Sequence, residues 1–390
     1  FLFIPADLYS LSLVEILSNI HFFIMSKKIV HLVPILKSGG APINVLRFIK
    51  GSLKINDYYN FMISKSGCKN LEKDASEYCD AYFDVDLSKV SLNSLLKTYR
   101  IVRDLEPDIL HTNGKCGLFY GMLLYPLFRK KIKFIHTYRG FYLPEGKFKF
   151  LHTFLEKLYS SVVSCSICVS NSEKEKVINS LGYDLNVKVI PNGISVSKKT
   201  LPSRISDVIG RYEINIVSLS RICEQKDIIS MLESFKLFYK AGASLHIIGG
   251  IPSQQSDYNK KVKELIASDS IFEHVYFWGD LPNASSLLYG FDIYLSTARF
   301  EGLPTAIIEA GLSELPVVAT PCVGNIDLIN QSTGYLVPSF NSRDISNSLE
   351  QCFLEYGTKT QLEKISNNLV QSKTFSVENN IDKISAVYGF

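Results

Sequence analysis

What this sequence lacks excludes several kinds of protein. Its eight cysteines are scattered over 390 residues. The one CxxC spacing, Cys165 to Cys168, has no second ligand pair nearby. A zinc knuckle is therefore not expected, and Ser164-Cys165-Ser166-Ile167-Cys168-Val169 reads as a strand of buried thiols in a reducing compartment. Neither a zinc-finger spacing nor an aromatic RNA-binding signature is present, so nucleic acid is not an expected partner. The apolar run Leu118 to Phe128 is too short to span a bilayer and predicts a helix in a domain core. Residues 1–24 have no initiating methionine and no basic start of a signal peptide, and Pro5, Asp7 and Glu15 interrupt any membrane span. The first methionine, Met25, leads at once into the strand pattern Ile29-Val30-His31-Leu32-Val33. Residues 1–24 are thus expected to be a non-native or flexible extension, with an amphipathic surface helix as the alternative.

What is present is ordinary globular composition, 46% apolar and 21% charged, in a chain too long for one typical core. The charge is uneven. Residues 1–200 carry 27 Lys and Arg against 17 Asp and Glu, and residues 201–390 carry 15 against 21. A basic first half predicts an anionic membrane surface as partner. Apolar strand-like runs appear at Ile29–Val33, Ile109–His111, Lys133–His136, Ile167–Ser170, Val187–Ile190, Ile214–Leu219, Ser244–Ile248, Val275–Trp278, Ile293–Ser296 and Val317–Ala319. Each precedes a turn signal and a longer helical segment. This alternation predicts an α/β protein with parallel sheets covered on both faces and ligands at the carboxyl ends of the strands. The break falls at Pro191-Asn192-Gly193, ahead of a polar segment.

Three local patterns carry chemistry. After the first strand, Ser38-Gly39-Gly40-Ala41-Pro42 enters a helix whose bare amides attract anions; a tight turn is the plain alternative. After Ile214–Leu219, Arg221 and Lys226 sit five apart on one loop. They either converge on a diphosphate, one as a fork and one as a point charge, or are solvated surface charges. Glu301 and Glu309 stand eight apart in an otherwise apolar segment that continues into Pro316-Val317-Val318-Ala319. A carboxylate flanked by Ile307, Ile308 and Ala310 does not suit a solvent-facing role.

From Met25 onward, these stretches together with PDILHTNGKCG, HTYRGF, VSNSE, VIPNGI, VYFWGDL and TGYLVP resemble the retaining glycosyltransferases of family 4. That resemblance implies the GT-B fold: two Rossmann-like domains facing across a cleft, with a C-terminal helix crossing back to the N-terminal one. The implied boundaries are 25–193 for the acceptor-side domain, 194–373 for the nucleotide-sugar domain and 374–390 for the terminal helix, whose apolar pattern is Val377, Ile381, Ile384 and Val387. It further implies that Arg221 and Lys226 clamp the diphosphate and that Glu309 accepts hydrogen bonds from the ribose. Glu301 and the Gly302-Leu303-Pro304 backbone would meet the donor sugar and leaving phosphate. Gly39, Gly40 and Asn192 complete the donor-binding set, and His136 and Arg139 join the catalytic set. Arg139 departs from the family, standing where a histidine is usual. Glu314 replaces a common glycine, and Asp327 replaces a commoner glutamate.

The activity so implied is a retaining hexosyl or N-acetylhexosaminyl transfer from a nucleotide-diphosphate sugar, most often a UDP-sugar, to a lipid-linked or oligosaccharide acceptor in capsule, O-antigen or related surface polysaccharide synthesis. A peripheral protein at the inner face of the cell membrane is expected, with Arg129-Lys130-Lys131-Ile132-Lys133 and the stretch Gly146 to Leu155 as basic and aromatic membrane-facing candidates. No cofactor and no metal is required where cations and helix amides stabilise the leaving group. Asp84-Val85-Asp86, a triplet that would hold a divalent ion in another glycosyltransferase fold, is read as loop carboxylates. The alternatives on the same fold are a sugar-nucleotide epimerase, a phosphorylase, or a non-catalytic nucleotide-sugar-binding partner.

Overall fold

The computed structural model describes residues 27–37, 39–54, 58–143, 146, 149–182, 185–240, 242–251 and 256–389. The expected extension 1–24 lies outside the described residues, as do Ser38, Lys147 and Phe148.

Two parallel sheets organise the chain. The first has β1 (Lys27–Ile35), β2 (Tyr58–Lys65), β3 (Ala81–Asp84), β4 (Ile109–Asn113), β5 (Lys133–Thr137), β6 (Cys165–Cys168) and β7 (Val187–Val189), in the order β3-β2-β1-β4-β5-β6-β7. The second has β8 (Ile214–Leu219), β9 (Ala243–Ile248), β10 (Val275–Gly279), β11 (Ile293–Ser296), β12 (Val317–Ala319) and β13 (Tyr335–Leu336), in the order β10-β9-β8-β11-β12-β13. Each is a Rossmann-like arrangement. The expected boundary at 193/194 falls between the two sheets. By packing, the described residues fall into two compact units, one made of those up to Thr137 with Leu158–Ser166, the other of those in Tyr138–Lys157 and from Ile167 on.

Strands buried on both faces need apolar side chains throughout or polar ones with partners. β4 and β9 are buried at every residue, yet each contains histidine. The polar residues are satisfied across strands: His31 Nε2 meets Asn60 Oδ1 at 3.0 Å, His111 Nε2 meets Thr137 Oγ1 at 2.7 Å, and His136 Nδ1 meets Thr112 Oγ1 at 2.9 Å. The run Leu118 to Phe128 is indeed helical, within Gly114–Phe128, and buries Leu118, Tyr120 and Leu124. Among the described residues no cysteine is placed in a disulfide, and Cys165 and Cys168 are buried in β6. The terminal helix, Val377–Tyr388, is fastened to the segment after β7. Ile194 and Ser376 form a parallel bridge, and Asn380 Nδ2 donates to the Pro191 carbonyl at 2.6 Å.

Candidate active site

The order of the second sheet reverses between β8 and β11, so the loops leaving those two strands diverge and open a crevice at their carboxyl ends. These are the loops that carry Arg221 and Lys226 on one side and Glu301 to Pro304 on the other. Backbone and side-chain bonds fix them together. Arg299 N–H donates to the Gln225 carbonyl at 2.8 Å, Gln225 Nε2 to the Phe300 carbonyl at 3.0 Å, and Thr297 Oγ1 to the Lys226 carbonyl at 2.8 Å. Asp227, in the left-handed region at φ 46°, ends the turn Glu224–Lys226 and caps the helix Ile228–Phe238, while its carboxylate pairs with Arg299 at 2.6 Å.

At the centre, Lys226 Nζ and Glu301 Oε1 are 2.6 Å apart, with the two side chains 17% and 13% exposed. The contact is a close ion pair in which Glu301 Oε1 accepts no hydrogen bond from the described residues, so the three N–H donors of the ammonium can serve an anionic ligand while the charges stay paired. Arg221 is exposed, with a 3.3 Å bond from Nη2 to Gln225 Oε1 as its one side-chain tie among the described residues. Beyond Leu303 and Pro304, both buried, the helix Thr305–Leu312 starts with no side-chain cap on its amides, which favours negative charge there. Glu309 is buried on this helix. It stands close enough to Tyr294 that, after burial itself, the Glu309 charge is the next cause pushing that phenol's pKa up. Gly311 lets this helix pack closely on another, since a Cβ there would lie 2.3 Å from Ser372 Oγ in the helix Lys359–Lys373.

The HTYRG segment reaches the same loop. A Cβ on Gly302 would be 2.7 Å from Gly140 N and 3.1 Å from Glu173 Oε1, and a Cβ on Gly324 would be 2.7 Å from the Gly302 carbonyl. Gly302 is therefore sandwiched and tolerates no side chain. Glu173 is the post that holds this junction, a residue that sequence reasoning quoted without giving it a role. Its carboxylate accepts from Gly140 N at 2.7 Å, Phe141 N at 2.9 Å and Val169 N at 2.8 Å. Burial raises its pKa against the opposing effect of those bonds and of Arg139. The Ser170-x-x-Glu173 spacing marks a helix start, and Ser170 Oγ does accept from Glu173 N at 3.1 Å; the cross-loop bonds have no such local signal. Arg139 donates through Nη1 to Asn192 Oδ1. Burial lowers its pKa to about 10, opposed by Glu173 and Tyr388, so it stays charged near neutrality. Asp327 accepts from Asn171 N at 3.0 Å and from Ser172 N at 3.1 Å, joining the start of the helix Asn171–Leu181 to the Gly324 loop.

The remaining candidates belong to the first unit. Gly39 and Gly40 open the helix Gly40–Ser52 as expected. A Cβ at either would meet nothing nearer than 3.7 Å, so the chain's own packing does not require glycine there. His136 is fully enclosed, bonded to Thr112 and edge-on to Tyr159 at 5.8 Å; it has the surroundings of a packing residue. Asp84 accepts from Ser66 N at 2.9 Å, and Asp86 pairs with Lys65 at 2.6 Å. Burial works to raise the Asp86 pKa, but hydrogen bonds from Lys65 and Ser88 prevail and hold it at about 2. Both carboxylates of the triplet thus have partners within the chain.

Two Rossmann-like parallel sheets, with a cation–carboxylate site at the switch point of the second, are the GT-B arrangement. Residues 81–198 match the family described as Glycosyltransferase Family 4, and residues 213–354 match Glycosyl transferases group 1. The chain belongs to these glycosyltransferases. It is 24% identical to the Escherichia coli UDP-Gal:alpha-D-GlcNAc-diphosphoundecaprenol alpha-1,3-galactosyltransferase, over 76% of this chain and 79% of that one. It is 25% identical to the Staphylococcus aureus capsular polysaccharide biosynthesis glycosyltransferase CapM, over 84% and 87%. Among solved structures, Anabaena HepE in complex with UDP and glucose superposes with a TM-score of 0.79 at 18% identity, over 92% of this chain and 98% of that one.

Proposed function

We propose that the chain transfers a hexose or N-acetylhexosamine, with retention, from a UDP-sugar to a lipid-linked glycan acceptor in the synthesis of a bacterial surface polysaccharide, working at the inner face of the cell membrane. The observation that carries this reading is the Lys226–Glu301 pair beside Arg221, ahead of the uncapped amides at Thr305. That site pairs cations for a diphosphate with carboxylates for sugar hydroxyls. The relatives named above support the donor and acceptor classes, one acting on a UDP-hexose and a diphosphoundecaprenol acceptor, the other in capsule synthesis.

The chemistry follows from charge placement. The bond from the sugar's anomeric carbon to the β-phosphate oxygen breaks as the acceptor oxygen bonds that carbon from the same face, and the acceptor's proton passes to the departing phosphate. Arg221, Lys226 and the first-turn amides stabilise the charge growing on the leaving group. Glu301 orients donor hydroxyls, and Glu309 reads the ribose. The positive charge is supplied by the protein, so no metal ion enters this scheme.

The deciding experiment is a panel of nucleotide sugars, scored by protection against heat unfolding and by UDP release with and without a glycan acceptor. Protection by UDP-sugars and acceptor-dependent release support the reading. Isomerised donor without acceptor would mean an epimerase, and protection without any turnover a binding protein.

A further inference from the structure

Two loops of the second compact unit each carry an exposed aromatic ring, and one of the rings directly precedes Glu301 in the chain. Gly140 and Gly302 bring these loops together. A Cβ on Gly302 would fall 2.7 Å from Gly140 N, and Gly140 itself stands at φ 98°, a conformation open to glycine. Tyr142 follows Gly140 by two residues and Phe300 precedes Gly302 by two, and their ring centroids are 6.1 Å apart with the planes tilted by 40°. Tyr142 is 49% exposed and Phe300 41%. A single exposed aromatic is ordinary, whereas two in contact make a patch.

Both rings are fixed through their neighbours. Glu173 accepts from Gly140 N at 2.7 Å and from Phe141 N at 2.9 Å. Phe141 and Leu143, on either side of Tyr142, pack with Tyr138, Cys168, Val177 and Leu181, so Tyr142 is the residue that this turn leaves outward. On the other loop, Gln225 Nε2 donates to the Phe300 carbonyl at 3.0 Å and Arg299 N–H to the Gln225 carbonyl at 2.8 Å. Those bonds tie Phe300 to the loop that carries Arg221 and Lys226. An apolar surface held in this way loses little freedom when a ligand covers it, and aromatic side chains beside a few fixed polar groups are the usual lining of a ligand site.

Chemistry selects the ligand. The two rings carry no charge and offer nothing to a diphosphate, which Arg221 and Lys226 can serve. A pyranose suits them better, because its hydroxyls lie around the rim while one face presents C–H bonds, an apolar surface whose slightly positive hydrogens complement the negative face of an aromatic ring. The donor is held through its diphosphate and its hydroxyls, whereas an uncharged acceptor sugar has to be oriented through its ring. We propose that Tyr142 and Phe300 form the stacking surface for the terminal pyranose of the acceptor, the sugar whose hydroxyl attacks. This rests on the transferase reading and adds which side chains recognise the acceptor.

The test uses the full chain with UDP present and three probes, the methyl α-glycosides of N-acetylglucosamine, glucose and galactose. Saturation-transfer NMR to the sugar ring protons reads pyranoside binding, and protection by UDP against heat unfolding reads the donor site separately. The wild type should bind at least one probe. Tyr142→Ala and Phe300→Ala should each weaken that binding about tenfold and leave protection by UDP at the wild-type level. Tyr142→Phe and Phe300→Tyr keep the rings and should bind as the wild type does. Both side chains are exposed, so circular dichroism of all four variants should match the wild type. Equal binding by the wild type and both alanine variants, or no binding of any probe by the wild type, would overturn the stacking surface, while protection by UDP would leave the donor reading standing. Ring-dependent pyranoside binding in a protein that UDP does not protect would keep the sugar site and count against the donor reading. Alanine variants that lose protection by UDP together with pyranoside binding would assign the rings to the donor and refute the proposal. A dimer that they dissociate, with no pyranoside bound, would make the pair a self-association patch and refute it equally.

Discussion

Lys226 and Arg221 are assigned the same ligand, yet the structure predicts that removing them has different consequences. Lys226→Ala deletes the partner of Glu301, whose carboxylate is 13% exposed. Breaking a buried pair by removing one member costs about 3–5 kcal/mol, and the slight exposure here brings the expectation to about 2–3 kcal/mol of folding stability. Arg221 is exposed, with one long bond to Gln225, so Arg221→Ala should change stability by less than about 0.5 kcal/mol. For transfer, each substitution removes a charge-assisted contact to the diphosphate, about 1.5–3 kcal/mol, or roughly tenfold to a hundredfold in rate. Adding Glu301→Ala to Lys226→Ala should restore much of the lost stability, because no unpaired carboxylate remains, and should restore no activity. Urea midpoints read the first quantity and UDP release the second. An Arg221→Ala protein with wild-type turnover, or a Lys226→Ala protein with both wild-type stability and turnover, would refute the assignment of this pair.

How far this site was legible depends on whether its cause was local. All ten runs read as strands overlap strands, although Ile167–Ser170 runs two residues past β6 and Val187–Ile190 one past β7, because apolar residues ahead of a turn have few other uses in a covered sheet. β2 was not legible, since Asn60 interrupts its pattern. That residue is acceptable in a buried strand only because His31 and Ser52 bond its amide group from other elements. β13 is two residues long and carries no pattern at all. The acid and cation positions could be read from their spacing along loops after strands, and the switch point brings those loops together. The Lys226–Glu301 pairing could not, because it joins residues from two crossings of the sheet. Glu173 shows the same limit: its helix-start spacing is local, but its grip on Gly140 beside Gly302 exists only once the chain has folded. Arg139 could be read only as standing where a histidine is usual; its bond to Asn192 and its nearness to the Glu173 charge exist only in the fold.

Four further outcomes are expected. Gly302→Ala puts a methyl 2.7 Å from Gly140 N with backbone on both sides, so it should lower activity at least about tenfold and lower stability by about 1–3 kcal/mol; a fully active, fully stable variant would mean that the junction is loose. Saturating chelator should leave UDP release intact, and loss restored by magnesium or manganese would bring a divalent ion into the leaving-group chemistry. Glu314 sits in the left-handed region at φ 59° after the helix Thr305–Leu312. Glu314→Gly should therefore stabilise the fold by about 0.5–1 kcal/mol, visible as a higher urea midpoint. The last concerns pH. His246 Nδ1 accepts from Trp278 Nε1 at 3.1 Å, and its Nε2 meets Ser244 Oγ at 2.8 Å, a hydroxyl that donates on to Asn215 Oδ1 at 2.9 Å. Protonating Nδ1 would set two N–H groups against each other, and burial already lowers the pKa to about 4. The unfolded chain takes up this proton near pH 6.5 and the folded one only near 4, so the contribution is complete above 6.5 and is lost as pH falls between those values. The loss is about 3 kcal/mol. Trp278 is the only tryptophan, so its fluorescence reports urea unfolding of this region without ambiguity. Stability of the wild type should fall more steeply between pH 6.5 and 4 than that of His246→Gln, which has no proton to gain, and parallel curves would show that His246 accepts its proton in the folded protein as readily as in the unfolded chain.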